Sequence, residues 1–150
     1  MKLTLVAVGR LRRGPEKALA DDYLDRFAKT GRGLGLPPVT LAEVEGRPSE
    51  AEAIDRAIPA GAAICVLDER GAQATSPEIA EMIARRRDDA RDLCFVIGGA
   101  DGLSEVLRSR ADHAIAFGCA VWPHMLARVM LAEQLYRAAS ILAGAPYHRA

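Results

Sequence analysis

"LCFVIGGADGLS", residues 93 to 104, is a five-residue apolar run that stops at two adjacent glycines and resumes after Gly102 with Leu103 and Ser104. A continuous run of that length, rather than an alternating one, fits a strand covered on both faces. The glycines allow positive φ and a close backbone approach. The helix expected to follow, through Val106 and Leu107, offers free N–H groups at its start. Strand, glycine turn and helix in direct succession are the unit of an α/β sheet, whose ligand sites lie at the C-terminal strand ends.

The same unit recurs on either side. "LTLVAVG", residues 3 to 9, is a nearly continuous apolar run ending in Gly, and a helix is expected from Pro15, with Leu19, Tyr23 and Phe27 four residues apart and Leu24 beside them. "VTLAEVE", 39 to 45, alternates as a half-covered strand does, and a helix from about Pro48 to Ile58 carries Ala51, Ile54 and Ile58. "AAICVLD", 62 to 68, reads as a central strand; Ser76 and Pro77 then serve as N-cap and first residue of a helix carrying Ile79, Met82 and Ile83. "AIAFG", 114 to 118, is a fifth strand. The helix from about Pro123 to Ala143 is the longest, and confines its main polar positions, Glu133, Arg137, Ser140 and Gly144, to one narrow stripe.

This alternation, without repeat or linker, predicts one domain over residues 1–150: an α/β fold with a mainly parallel sheet and helices on both faces. The apolar surface of the last helix calls for a deep place in the core or for a partner. A homodimer is the economical case, with Leu126, Met130 and Leu135 among the apolar positions.

Lysine and arginine number 20, as do aspartate and glutamate, so no global field draws the chain to nucleic acid or to an anionic membrane. Cys65, Cys94 and Cys119 lack CxxC spacing and read as free thiols of a reducing compartment. The apolar run of "MKLTLVAVGR" is too short for a membrane span or signal peptide, so a soluble, cytoplasmic protein is expected. His113 and His124 have no second ligand at metal-site spacing, so no metal is expected.

"IGGADGLS" is neither a Walker A loop nor GxGxxG, and suits a conformational turn as well as a ligand site. In "VGRLRRG", residues 8 to 14, Arg10, Arg12 and Arg13 suit solvent or an RNA backbone. "RRR" at 85 to 87 complements a helix dipole and is expected to face solvent. The tail "PYHRA" offers a ring, an imidazole and a guanidinium in succession, Tyr147, His148 and Arg149, with no long apolar residue to dock them.

Taken together, "KLTLVAVGRL", "FVIGGADGLS" and "WPHMLARVMLAEQLYRAASILAGAPYHRA" resemble the ribosomal RNA large subunit methyltransferase H family, minimal enzymes of the SPOUT class, over nearly the whole chain. The resemblance implies a C-terminal part threaded into a trefoil knot, a topology almost absent elsewhere. It also implies a homodimer and a loop before the last helix that wraps S-adenosylmethionine. The implied cofactor contacts are Leu67, Gly99, Phe117, Gly118, Cys119, Ala120, Val121 and Trp122. Tyr147, His148 and Arg149 are the implied catalytic tail, positioned by a pair between Glu133 and Arg137, one turn apart. The implied reaction is methylation of N3 of a pseudouridine in helix 69 of 23S rRNA on the assembled 70S ribosome, without metal; His148 or Arg149 would assist loss of the N3 proton or hold a phosphate. Two other readings stay open: a non-catalytic ribosome-binding α/β module, and a nucleotide-binding α/β protein using "GGADG" for phosphate, which lacks the usual lysine.

Overall fold

The computed structural model describes residues 1–149. Five strands, β1 (Leu3–Val8), β2 (Val39–Val44), β3 (Ala63–Gln73), β4 (Leu93–Ile97) and β5 (His113–Ala116), form one sheet of order β2-β1-β4-β3-β5. Every pairing is parallel. Helices α1 (Pro15–Gly31), α2 (Glu50–Ala57), α3 (Ser76–Asp88), α4 (Glu105–Arg110) and α5 (His124–Leu142) alternate with the strands.

The period-two alternation of strand side chains assigns the two faces. Leu3, Leu5, Cys65, Leu93 and Phe95 pack with Phe27 of α1, Ile79 and Ile83 of α3, and Leu131 and Leu135 of α5. Val6, Val8, Ile64, Val66, Cys94 and Val96 turn the other way, onto Ile54 of α2 and Leu107 of α4. With both faces covered, β1 and β4 are buried at every position, which is why their sequences are continuously apolar. β2 lies at an edge, and its mixed burial matches its alternation. Burial pushes the thiols of Cys65 and Cys94 up to about 12, whereas Cys119 is exposed.

Three elements differ from expectation. β3 lies inside the sheet between β4 and β5, as expected, but it continues to Gln73 with a register shift against β5 between Leu67 and Ala72, so that residues 68 to 71 loop out of the ladder. A Cβ on Gly71 would lie 2.7 Å from the carbonyl of Ala114, so only glycine fits where this excursion returns. Thr75, not Ser76, caps α3: its hydroxyl accepts the Glu78 N–H while the Glu78 carboxylate accepts the Thr75 N–H. Ser76 instead donates to Gln134 of α5. In the arginine run only Arg85 is exposed; Arg86 meets the His113 ring at 3.0 Å and Arg87 donates to the Leu34 carbonyl at 3.1 Å.

Helix α5 packs against α1 and α3 on one face of the sheet. Leu131, Ala132, Leu135, Ala138 and Ala139 are fully enclosed there, so Leu135 serves the chain's own core and is not open to a second copy; Leu126 remains exposed. Arg128 is 2% exposed. One guanidinium nitrogen donates to Glu43 Oε2 at 2.6 Å and another to the Gly9 carbonyl at 2.7 Å. Glu43 Oε2 also accepts the Leu11 N–H at 2.7 Å. Burial by itself would raise the Glu43 pKa, but the Leu11 amide and the Arg128 guanidinium outweigh it and hold the carboxyl below its ordinary value.

Glu43→Ala strands an enclosed cation and should lower the unfolding free energy by about 3–5 kcal/mol, whereas Arg128→Met fills the space without charge and should cost less. Chemical denaturation checks this, and equal losses would assign the contact to packing alone. Because the folded-state pKa of Glu43 is depressed, its contribution is complete above the unfolded carboxyl's pKa and is lost as pH falls through the folded value. The gap between parent and Glu43→Ala should therefore narrow in acid.

Candidate active site

The C-terminal ends of β4, β3 and β5 lie side by side, and the segments leaving them enclose a cavity of about 720 Å³. β3 contributes Leu67 and the looped-out Asp68, Glu69 and Arg70; β4 contributes the turn from Gly98 to Leu103; β5 contributes Phe117, Gly118 and the segment leading to His124. Leu67, Ile97, Ile115 and Phe117 give apolar walls, while Asp68, Glu69, Arg70 and Asp101 bring charge.

Each segment is held by local chemistry. Gly102, at φ +75°, is the position in the glycine turn that needs positive φ, and its N–H donates to the Gly99 carbonyl at 3.0 Å. Gly98 and Gly99 leave space for side chains behind the turn instead, and at Gly98 a Cβ would also come within 3.1 Å of the Gly102 backbone. A Cβ on Gly98 would lie 2.9 Å from Leu103 Cδ2, and one on Gly99 would lie 2.9 Å from Glu50 Oε2. Gly118, at φ +94°, turns the chain out of β5, and Trp122 folds back so that its Nε1–H donates to the Phe117 carbonyl at 2.9 Å. Asp68 is clamped by Arg70, with Nε to Oδ1 and Nη2 to Oδ2 both at 2.7 Å, and this guanidinium holds the Asp68 carboxyl below its ordinary value.

Of the residues implied as cofactor contacts, Leu67, Gly99, Phe117, Gly118, Ala120, Val121 and Trp122 line this one cavity. Cys119 does not; its sulfur accepts from Gln73 Nε2 at 3.1 Å. Asp68, Arg70, His124 and Ala127 also line it, and the sequence pattern did not single out Asp68 or Arg70. The available signal was the Asp-x-Arg spacing in "LDERG", which lets both side chains meet on one short excursion.

The tail lies elsewhere, and it is docked. Tyr147 donates to Glu133 Oε1 at 2.9 Å, its ring sits 4.6 Å from that of Tyr136, and the Arg137 guanidinium lies 4.8 Å from its centroid. Burial, together with the Glu133 carboxylate, raises the Tyr147 pKa. Glu133 and Arg137 do pair, and Arg137 Nη1 lies 3.4 Å from His148 Nδ1. The expectation that nothing docks this tail is thus corrected: Tyr136 supplies the apolar surface and Glu133 the acceptor. Of the three tail residues only Arg149 is exposed. Glu133 stands six positions beyond Ala127, the last residue of α5 to line the cavity, about 9 Å along a helix rising ~1.5 Å per residue, and none of the tail residues lines the cavity.

Among the described residues, no group of three or more His, Cys, Asp or Glu could hold a metal ion, and no helix is long and apolar enough to cross a membrane. The family described as predicted SPOUT methyltransferase matches residues 1–148. Proteins named ribosomal RNA large subunit methyltransferase H are similar throughout: that of Paracoccus denitrificans is 64% identical and that of Dinoroseobacter shibae 59%, each match covering 99% of both chains. The crystal structure of a probable methyltransferase from Bordetella pertussis Tohama I shares the fold, with a TM-score of 0.52 at 14% identity over 92% of this chain and 94% of that one. The chain belongs to the SPOUT methyltransferases and, within that class, to the ribosomal RNA large subunit methyltransferase H family. SPOUT methyltransferases use S-adenosylmethionine.

The cavity suits that group. Its volume falls within the roughly 300–1,000 Å³ of small-ligand sites, and it combines apolar walls with backbone polar groups from three loops. Trp122 is the chain's one tryptophan and is 43% exposed on the cavity wall. S-adenosylhomocysteine should therefore shift its fluorescence to the blue in a saturable way. An unchanged spectrum at a ligand concentration that calorimetry shows to be saturating would place the ligand elsewhere.

Proposed function

We propose that this protein methylates N3 of a pseudouridine in helix 69 of 23S rRNA, on the assembled 70S ribosome in the cytoplasm, using S-adenosylmethionine. The convergence of three strand-end loops on one apolar cavity carries this reading, and the large-subunit rRNA named for the relatives supports the substrate class. Leu67, Gly99, Phe117, Gly118, Ala120, Val121 and Trp122 would hold the cofactor, with Cys119 contributing to the loop rather than to the wall. When bound, S-adenosylmethionine supplies a methyl group on a positively charged sulfur, already activated for transfer to a nitrogen lone pair. Leu67, Ile115 and Phe117 exclude water, and the Trp122 bond to Phe117 fixes the loop that closes the site.

Tyr147, His148 and Arg149 are the RNA-facing group of this reading, steadied by Glu133 and Arg137. Arginine can only donate, so His148 Nδ1 accepts in the Arg137 contact and the ring proton sits on Nε2. In that arrangement the imidazole meets RNA as a donor; removing the N3 proton requires it to leave Arg137. Arg149, exposed, is placed for a phosphate.

The proposal includes a single domain, a C-terminal trefoil knot and a homodimer. Val121, 78% exposed, and Trp122 line the cavity mouth, exposed Met125 and Leu126 follow at the start of α5, and pairing of two copies would cover these apolar side chains. The phosphate-binding alternative loses ground, because the Gly99 N–H is already taken by the Glu50 carboxylate at 2.8 Å.

The test uses 70S ribosomes that lack the modification, with mass spectrometry of the 23S rRNA. The full chain should add one methyl group at the pseudouridine. A chain shortened by residues 147 to 150, of which Ala150 lies outside the described residues, should bind S-adenosylhomocysteine normally and add none. Methylation by the shortened chain at the parent rate would remove the tail from the mechanism; no methylation by the full chain would remove the substrate.

A further inference from the structure

We propose that Glu50, at the start of α2, is a positioning and specificity residue of the cavity, holding the glycine turn so that it offers acceptors rather than donors to the ligand. The inference rests on the reading of the cavity as the S-adenosylmethionine site. Glu50 is half-buried and does not line the cavity; Oε1 accepts the Gly99 N–H at 2.8 Å from behind the turn. The Gly98–Gly99 peptide is trans, so the Gly98 carbonyl points opposite to that N–H and away from Glu50. Both glycines line the cavity.

The glycines on either side leave room for the carboxylate. A Cβ on Gly99 would approach Oε2 to 2.9 Å, and a Cβ on Gly46 would approach it to 3.5 Å. The carboxylate also sits in the first turn of α2, where the helix dipole favours negative charge.

A glycine turn between a buried strand and a helix ordinarily offers its N–H groups to anions. Here the Gly99 N–H is occupied, and a negative charge stands behind it. The turn therefore disfavours a phosphate and favours a ligand that brings hydrogen-bond donors or positive charge. An S-adenosyl compound brings the adenosine donors, an ammonium beside its carboxylate and no phosphate; adenosine monophosphate shares the adenosine donors but adds a phosphate and no cation.

The experiment is calorimetry with S-adenosylhomocysteine, and with adenosine monophosphate as the phosphate-bearing control, on the full chain and on Glu50→Ala and Glu50→Gln. Losing the acceptor leaves a part-buried N–H unsatisfied, so Glu50→Ala should weaken S-adenosylhomocysteine binding roughly tenfold. Glu50→Gln keeps an acceptor oxygen for Gly99 and should recover most of that affinity, but not the charge-based exclusion of the monophosphate. In kinetics, Glu50→Ala should raise KM for the methyl donor more than it lowers kcat. The Gly99 amide resonance, read by NMR independently of activity, should move in Glu50→Ala and stay nearly in place in Glu50→Gln.

Equal S-adenosylhomocysteine affinity in parent and folded Glu50→Ala would overturn the proposal. Should Glu50→Ala fail to fold, Glu50→Asp, one methylene shorter, decides: parent affinity with a displaced Gly99 resonance overturns the proposal, and weakened affinity with a displaced resonance supports it. A parent chain that binds no S-adenosylhomocysteine would overturn the cofactor reading itself, an outcome distinct from a parent that binds while the variants bind equally.

Discussion

A guanidinium enclosed at 2% exposure is stable only where its charge and N–H groups are met, and Arg128 meets them on two other elements. Glu43 lies near the end of β2, and the Gly9 carbonyl just beyond β1, so the contact reaches back 85 residues to one partner and 119 to the other. Arg128 Nε has no hydrogen-bond partner among the described residues, so the side chain is held through its other two nitrogens. The position of α5 follows from this. Ala127, its neighbour, and His124, one turn earlier, line the cavity, so the contact that fixes α5 over the sheet also fixes where the loop from β5 must close.

The cavity is therefore built from the most constrained parts of the chain. Leu67 and Ile97 extend from strands paired in register, and the Gly98–Gly102 turn is tied both within itself and to α2. The charged tail occupies a separate setting on α5, where Tyr136, Glu133 and Arg137 dock it through a ring contact, a hydrogen bond and a cation–π contact. The balanced charge of the chain agrees with that division, since nothing here depends on a long-range field.

Strands, faces and the cavity-lining loop were legible because burial writes periodicity into sequence. β1 and β4 are unbroken apolar runs since helices cover both faces, and β2 alternates since it is an edge. What periodicity does not encode is the identity of a distant partner. The sequence pattern did not single out Arg128, and only the fold supplies Glu43. Leu135 and Leu126 are alike in sequence, yet one is fully enclosed in the core and the other is 42% exposed. Tyr147 looked undocked because its partner ring, Tyr136, belongs to a helix already counted as apolar. The choice between Thr75 and Ser76 as the cap of α3 turned on which hydroxyl stands three residues before a glutamate, a one-residue distinction settled by the reciprocal bond to Glu78.

The central claim is that one ligand occupies the space shared by the ends of β3, β4 and β5. Amide chemical-shift mapping during titration with S-adenosylmethionine tests it most directly. The account predicts that the largest changes cluster at residues 67–70, 97–103 and 115–124. Largest changes around the separate cavity of about 480 Å³ between α3 and β5, at residues such as Met82, Arg86 and His113, would contradict it.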